Sequence, residues 1–271
     1  MKFGLAFPYN EVRSAAAWAN AAEQAGWDGV FMGDAIWCVD PMLTLAAAAT
    51  ATTRIQLGTM IIPAPIRRPW KIASEAIALD QLSDGRFVMG IGTGAAWMGW
   101  YAFPDEEADP KKRSGMLDET LDILKLLFQG KPFDYAGEHY HLELTRLDEV
   151  FYPPKPVRLP SIPLWTPAIW PSKRSMQRAL KCDGVIPEKR DAEGNPAELT
   201  PEDIAGIKAY VDQNRERSTP FDIVITHKSG TLKNPLAQWQ AAGATWLVEE
   251  LYDMPEKDVG ERIRQGPALV V

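Results

Sequence analysis

Short β-type runs alternate with helical stretches along the whole chain, and this alternation limits the fold more than any other feature. The strand runs fall at residues 2–7, 29–32, 55–62, 86–91, 163–166, 184–186, 221–226 and 245–251. Between them lie helical stretches at 12–25, an alanine-rich one ending at 52, then 69–82, 111–128, 172–181, 201–215, 234–242 and 256–264. The first helix shows the reason for the assignment: Ala15, Trp18, Ala19 and Ala22 recur at spacings of three and four, and Gly26 supplies a stop. The junctions AEQAGWDGVFM, ALKCDGVIP and AAGATWLVEE resemble one another, as expected of one unit used repeatedly. Short apolar strands joined by crossover helices imply a parallel sheet covered on both faces. Eight such units in 271 residues favour an α/β fold closed into a (β/α)8 TIM barrel over an open doubly wound sheet. One stretch, 131–158, breaks the rhythm: PFDYAGEHYHLE predicts a hairpin turning at Ala136–Gly137, and a proline-rich run follows. It reads as an excursion between the fourth helix and the fifth strand of a single barrel domain over residues 1–271.

Charge and cysteine use narrow the function classes. Lys plus Arg is 29 against 36 for Asp plus Glu, a net charge of −7 without a concentrated basic stripe, which disfavours nucleic-acid and anionic-membrane partners. Cys38 and Cys182 make no disulfide framework and suit a reducing compartment. The opening MKFGLAFPYN has too brief an apolar run for a signal peptide, and nowhere do 18 apolar residues run uninterrupted. The expectation is a cytoplasmic protein, alone or as a homodimer, that works on a small organic substrate.

In a barrel of this kind the site lies at the carboxyl ends of the strands. The residues there are, in chain order, Pro8, Tyr9 and Asn10; Gly33, Asp34 and Trp37; Arg67, Arg68 and Trp70; Gly92, Thr93, Gly94, Trp97 and Trp100; Trp170, Ser172, Lys173 and Arg174; Glu188, Lys189 and Arg190; His227 and Lys228; and Glu249 and Glu250. Five of the ten tryptophans fall in these loops, which either line a mouth for a flat conjugated ligand or pack on one another. GIGTG (residues 90–94) is not the dinucleotide fingerprint, because Ala95 stands where the third glycine belongs and no helix opens directly. It is either a tight turn or a place where backbone approaches a phosphate or the edge of a flavin ring. PSKRS (residues 171–175) opens a helix with free amide donors and two cations, a phosphate seat by mechanism, although exposed Lys and Arg are also ordinary surface residues. His139 and His141 share one face of the hairpin with no third histidine close in sequence, so a solvated face is preferred to a metal site, and no metal is expected.

The run IQLGTMIIPAPIRRPWKIASEAIALDQLSDGRFVMGIGTG, with AAEQAGWDGVFMGD and PFDYAGEHY, resembles the luciferase-like monooxygenase family, the flavin- and deazaflavin-dependent relatives of bacterial luciferase. The likeness covers residues 2 to about 184 and becomes faint beyond. It implies a (β/α)8 barrel holding reduced FMN or the deazaflavin coenzyme F-420 at its mouth. Asp34 matches the acidic position after the second strand. Thr59 and Met60 lie where relatives press backbone against the ring, often through a non-proline cis peptide. Gly92, Thr93 and Gly94 match the loop near the cofactor, and Trp170, Ser172, Lys173 and Arg174 match the segment that holds its phosphate. Two positions depart: Ala35 stands where relatives usually place a histidine, and Thr93 replaces luciferase's arginine.

The leading expectation is therefore a flavin-type oxidoreductase, working either by hydride transfer with deazaflavin or by oxygen activation on reduced FMN. Asp34, His227 and Glu249 are the candidate proton donors or acceptors, with Asp34 preferred and a helix-capping role as its alternative. F-420 is preferred to FMN, because Ala35 offers no imidazole to an oxygen adduct. Arg67 and Arg68 could receive an acidic cofactor tail. The alternatives are a non-catalytic flavin-binding protein and a phosphate-handling barrel isomerase or aldolase.

Overall fold

The computed structural model describes residues 1–8, 12–35, 38–95, 102–103, 107–148, 151–216 and 219–267. Strand β1 (Lys2–Ala6) lies between β2 (Gly29–Met32) and, from the far end of the chain, β11 (Trp246–Glu250). From β2 the ladder runs to β3 (Gln56–Pro63), β4 (Phe87–Gly92), β7 (Leu164–Trp170), β8 (Gly184–Arg190) and β10 (Asp222–Lys228), which pairs back to β11. All these pairings are parallel, so the sheet closes into an eight-stranded TIM barrel, as the alternation predicts. The crossover helices are α1 (Arg13–Gln24), α2 (Pro41–Ala51), α3 (Pro69–Leu82), α4 (Pro110–Leu127), α5 (Lys173–Leu180), α6 (Pro201–Asn214), α7 (Leu236–Ala242) and α8 (Glu256–Arg264). The excursion forms an antiparallel hairpin, β5 (Asp134–Ala136) with β6 (His141–Glu143), and β9 (Pro196–Ala197) folds back on the end of β8. No described helix is long and apolar enough to cross a membrane.

Local chemistry explains the helix starts. Four helices begin with proline, whose fixed φ and missing N–H suit the first helical position. Asp40 and Asp109 accept first-turn N–H groups, and Thr200 forms a reciprocal capping box with Asp203. The hairpin is fastened by one side chain: the Glu119 carboxylate on α4 accepts N–H bonds from Glu138, His139 and Tyr140.

Alternation of side chains along each strand divides the core. Residues such as Leu5, Val30, Leu57 and Met89 face the helices of the first half, and Val185, Ile223, Ile225 and Leu247 those of the second. Between them, Ala6, Phe31, Met60, Val88, Trp165, Ile186, Val224, Trp246 and Val248 fill the barrel. Three rings dominate that interior: the Phe31, Trp165 and Trp246 centroids stand 5.5–5.6 Å from one another. Glycines on neighbouring strands make the room. A Cβ at Gly58 would lie 2.6 Å from the Phe31 ring, and one at Gly184 2.5 Å from Trp165. Pairing small with large is how a narrow barrel fills its taper.

Observed boundaries lie within a residue or two of expectation for most elements. Two strands run further than predicted. The fifth and sixth stop at 166 and 186 in the sequence reading, yet β7 continues through Pro167 to Trp170 and β8 through Pro187 to Arg190. Beyond Trp165, β7 has lost β4 as a partner and pairs only with β8, so a proline without an N–H is tolerated there.

Candidate functional site

The carboxyl-end mouth is floored by small groups on β4 and by an irregular turn of β3. The β3–β4 register shifts between Thr59 and Ile62, and the Met60–Ile61 peptide is cis, at the position singled out by the family resemblance. As a result two consecutive side chains, Met60 and Ile61, pack with the barrel interior, while Ile62 returns to the helix side. Thr59 is fully buried and donates its hydroxyl to the Gly90 carbonyl at 2.8 Å. Gly90 and Gly92 share the inward face with Val88. A Cβ at Gly90 would stand 2.2 Å from the Thr59 carbonyl oxygen, and one at Gly92 2.9 Å from Ile61 and 3.1 Å from Pro167. Gly94 has φ +71°, and its Cβ would meet Pro63 at 2.6 Å. The Thr93 carbonyl is held by buried Arg113 on α4, which also grips the Glu107 carbonyl. On the far side the Tyr252 hydroxyl donates to the Met60 carbonyl at 3.3 Å.

Asp34 follows β2 and its backbone N–H bonds the Ile61 carbonyl. Its carboxylate, 8% exposed, takes two bonds from Arg67 at 2.8 and 2.9 Å. Arg67 also reaches Asp40 at 3.0 Å and Glu75 at 3.3 Å. Burial pushes the Asp34 carboxyl above its ordinary range, and the Arg67 charge opposes that rise. The expectation that Arg67 receives a cofactor tail is corrected here: its guanidinium is already committed to three carboxylates. Arg68 instead lies over the Trp70 ring, at 6.0 Å.

Helix α5 begins at the rim. Among the described residues the backbone N–H groups of Lys173, Arg174 and Ser175 meet no acceptor, whereas that of Met176 bonds the Ser172 carbonyl at 3.0 Å, and Lys173 and Arg174 are exposed beside them. Ser172 takes the N-cap position without a side-chain bond. Trp170 turns away from the mouth: its ring packs on α6 against Gly206 and Tyr210, the latter at 6.2 Å. Trp70 is exposed on the first turn of α3, whereas Trp37, Trp97 and Trp100, like Tyr9 and Asn10, lie outside the described residues.

The remaining candidates separate by strand face. His227 and Glu249 sit on the helix side, in step with Ile225 and Leu247. Glu249 is 2% exposed and paired with Arg262 of α8 by two hydrogen bonds, one of 2.7 Å. The His227 Nδ1 bonds the Lys228 carbonyl at 2.9 Å, and burial holds its imidazole below the ordinary value of 6.5. A histidine kept neutral by burial stabilises fully above that value and loses the contribution as pH falls. His227→Gln should accordingly flatten the decline in melting temperature between about pH 7 and pH 5, read by thermal unfolding across that range; an unchanged slope would assign the decline to other groups. On the inward face, in step with Ile186, Val224 and Val248, stand Glu188, Thr226 and Glu250. Glu250 borders a cavity of about 370 Å³ between the ends of β10 and β11, which Lys228, Tyr252, Asp253 and Asp258 also line. Sequence reasoning placed Glu188 and Glu250 at strand ends but had no signal for which of two neighbouring residues faces inward. Among the described residues no group of three or more His, Cys, Asp or Glu is arranged to hold a metal ion.

The model of the luciferase-like monooxygenase family matches residues 1–247. The chain belongs to that family. A protein of Mycobacterium tuberculosis named as a coenzyme F-420-dependent oxidoreductase is 33% identical over 69% of the chain, a match spanning only 55% of that relative's own length. Among solved structures, the coenzyme F-420-dependent tetrahydromethanopterin reductase of Methanopyrus kandleri superposes with a TM-score of 0.73 at 15% identity, covering 100% of this chain and 99% of its own. The oxygenating constituent of 3,6-diketocamphane monooxygenase of Pseudomonas putida, in complex with FMN, gives 0.65 at 20% identity over 84% and 67%. At these identities the structural likeness speaks to the fold alone.

Proposed function

We propose that this chain is an oxidoreductase that holds a flavin-type cofactor, F-420 in preference to FMN, at the barrel mouth and acts on a small organic substrate. The observation that carries this reading is the floor at Gly90, Gly92 and Gly94, which has no side chains of its own and packs so closely on Thr59, Ile61 and Pro63 that a Cβ would stand 2.2–2.9 Å from them. A flat ring needs such bare backbone, and a family that uses flavins and deazaflavins supplies the ring. The free first-turn N–H groups of α5, with Lys173 and Arg174, fit the cofactor's phosphate. Bound there, F-420 supplies hydride exchange and FMN supplies oxygen activation.

The protein's own part is to bind, orient and exclude water. The Phe31–Trp165–Trp246 plug seals the barrel beneath the mouth. Arg67 fixes the Asp34 carboxylate, whose raised proton affinity suits a group that holds or passes a proton at an oxygen atom. Ala35 offers no imidazole to protonate or shield an oxygen adduct, which favours the deazaflavin.

Titrating the purified protein with each cofactor, followed by absorbance, tests the reading. Tight binding of F-420 is expected, and binding of neither cofactor overturns it. FMN binding with substrate-dependent oxygen uptake, and no F-420 binding, would restore the monooxygenase. Within this reading, alanine at both Lys173 and Arg174 removes two charge-assisted donors and should weaken binding at least about tenfold. The same change at Lys111 and Lys112 should not. Equal losses from the two pairs would mean that only net charge is being sensed.

A further inference from the structure

Many titratable side chains at the carboxyl ends of the strands are committed to protein partners. Asp34 is held by Arg67, Glu249 by Arg262, and Lys228 by Asp253 at 2.6 Å. Lys189 points to the helix side and pairs with Asp203 at 2.7 Å, while Arg190 donates to the Gly194 carbonyl at 2.8 Å. Glu188 and Glu250 differ: no described residue gives either carboxylate a hydrogen bond or ion pair, and Glu188 is the one two steps above the barrel plug on β8. Its direction follows from the strand, because Gly184 and Ile186 on the same face pack with Trp165 and the barrel interior. Ile169 is its partner in β7. On the other side β8 pairs with β10 at Gly184–Asp222 and Val185–Ile223, and Val224 shares the barrel interior with Ile186. The carboxyl is thus open to solvent yet ringed by protein, and desolvation pushes it above the ordinary range against the pull of Arg190.

We propose, resting on the oxidoreductase reading, that Glu188 is a specificity-determining residue that receives a hydrogen-bond donor of the substrate, a hydroxyl or an ammonium group, and turns away anionic substrates. An acceptor that faces the mouth with no protein donor is open to a ligand that brings one. Across β10, Glu250, Asp253 and Asp258 line the cavity at the ends of β10 and β11, and the one ammonium there, Lys228, is already paired. Lys173 and Arg174 stand exposed at the start of α5, and Arg190, next on the face of Glu188, is turned to the Gly194 carbonyl.

The test uses three probes of one skeleton: cyclohexanol, 4-aminocyclohexanol and 4-hydroxycyclohexanecarboxylate. Binding is measured by ligand-observed NMR to the protein with and without cofactor, for the wild type, Glu188→Gln and Glu188→Lys. The wild type should prefer the amino form to the carboxylate by at least about tenfold, the step expected of one charge-assisted bond. Glu188→Gln should erase most of that preference and Glu188→Lys should invert it, with cofactor affinity unchanged in both. An order of preference that is the same in all three proteins overturns the proposal, as does a wild type that favours the carboxylate or binds none of the probes. Glu188→Gln is isosteric and keeps the comparison valid if the lysine variant fails to fold. Loss of cofactor binding by the wild type is a separate result, and it strikes the underlying reading instead.

Discussion

Trp246→Ala is expected to destabilise the barrel by about 3–5 kcal/mol, the range for removing a large aromatic side chain from a packed interior. Trp246 is fully buried, its ring centroid lies 5.6 Å from Phe31 and 5.5 Å from Trp165, and the Lys2 ammonium lies over the ring, 5.1 Å from its centroid. Strand β2, on the far side of β1, already gives up volume to it, since a Cβ at Gly29 would lie 2.9 and 3.0 Å from the Trp246 ring and 3.0 Å from Phe31. Gly29→Ala alone should therefore overpack the interior and cost about 1–3 kcal/mol. In the Trp246→Ala background the same methyl enters vacated space, so the double variant should be more stable than the sum of the two losses predicts. Denaturant unfolding of the four proteins reads the coupling directly. Losses that add within about 0.5 kcal/mol would show that the glycine and the ring do not compete for one volume.

Much of this architecture was legible in the sequence because each unit pairs an apolar run with an amphipathic one. The last helix falls at 256–264 both in the pattern and in the structure. The interior was not legible. A strand buried on both faces is apolar at every position, so GVFM and TWLVEE carry no mark of which side chains turn inward. Counting tryptophans at strand ends drew attention to the rim; of that set Trp70 is exposed on α3 and Trp170 lies on α6, while Trp165 and Trp246, outside the set, fill the barrel. The same blindness affected the site. Glu249 and Glu250 are adjacent and chemically alike, and only the placement of Trp246 and Val248 inside the barrel shows that Glu250 meets the mouth. Arg67 was legible as a rim cation, but its three carboxylates come from separate elements that only the folded chain unites. Where a local motif carried information, the reading was closer: the glycines after β4 do mark backbone stripped of side chains, and the cis peptide occurs at Met60–Ile61.

Arg262→Ala should cost about 3–5 kcal/mol, because it strands the Glu249 carboxylate, 2% exposed, behind the barrel wall. Arg262 is itself only 11% exposed, and its guanidinium stacks on Trp27 at 5.0 Å, so packing is lost along with charge. The value of the pair itself is a different quantity from the cost of breaking it. Two charges taken out of water give back much of their mutual attraction as desolvation, and an apolar pair of similar volume is often as stable. The double variant Glu249→Leu with Arg262→Met should therefore recover most of the stability that Arg262→Ala loses, with methionine keeping a flexible stem against Trp27. The double variant also decides what Glu249 does. As a wall residue it can be replaced, and the refolded barrel should still bind cofactor and turn over substrate at close to the wild-type rate. A double variant that melts like the wild type, binds cofactor and is inactive would return Glu249 to the chemistry, and with it the acid–base role that its residue type first suggested.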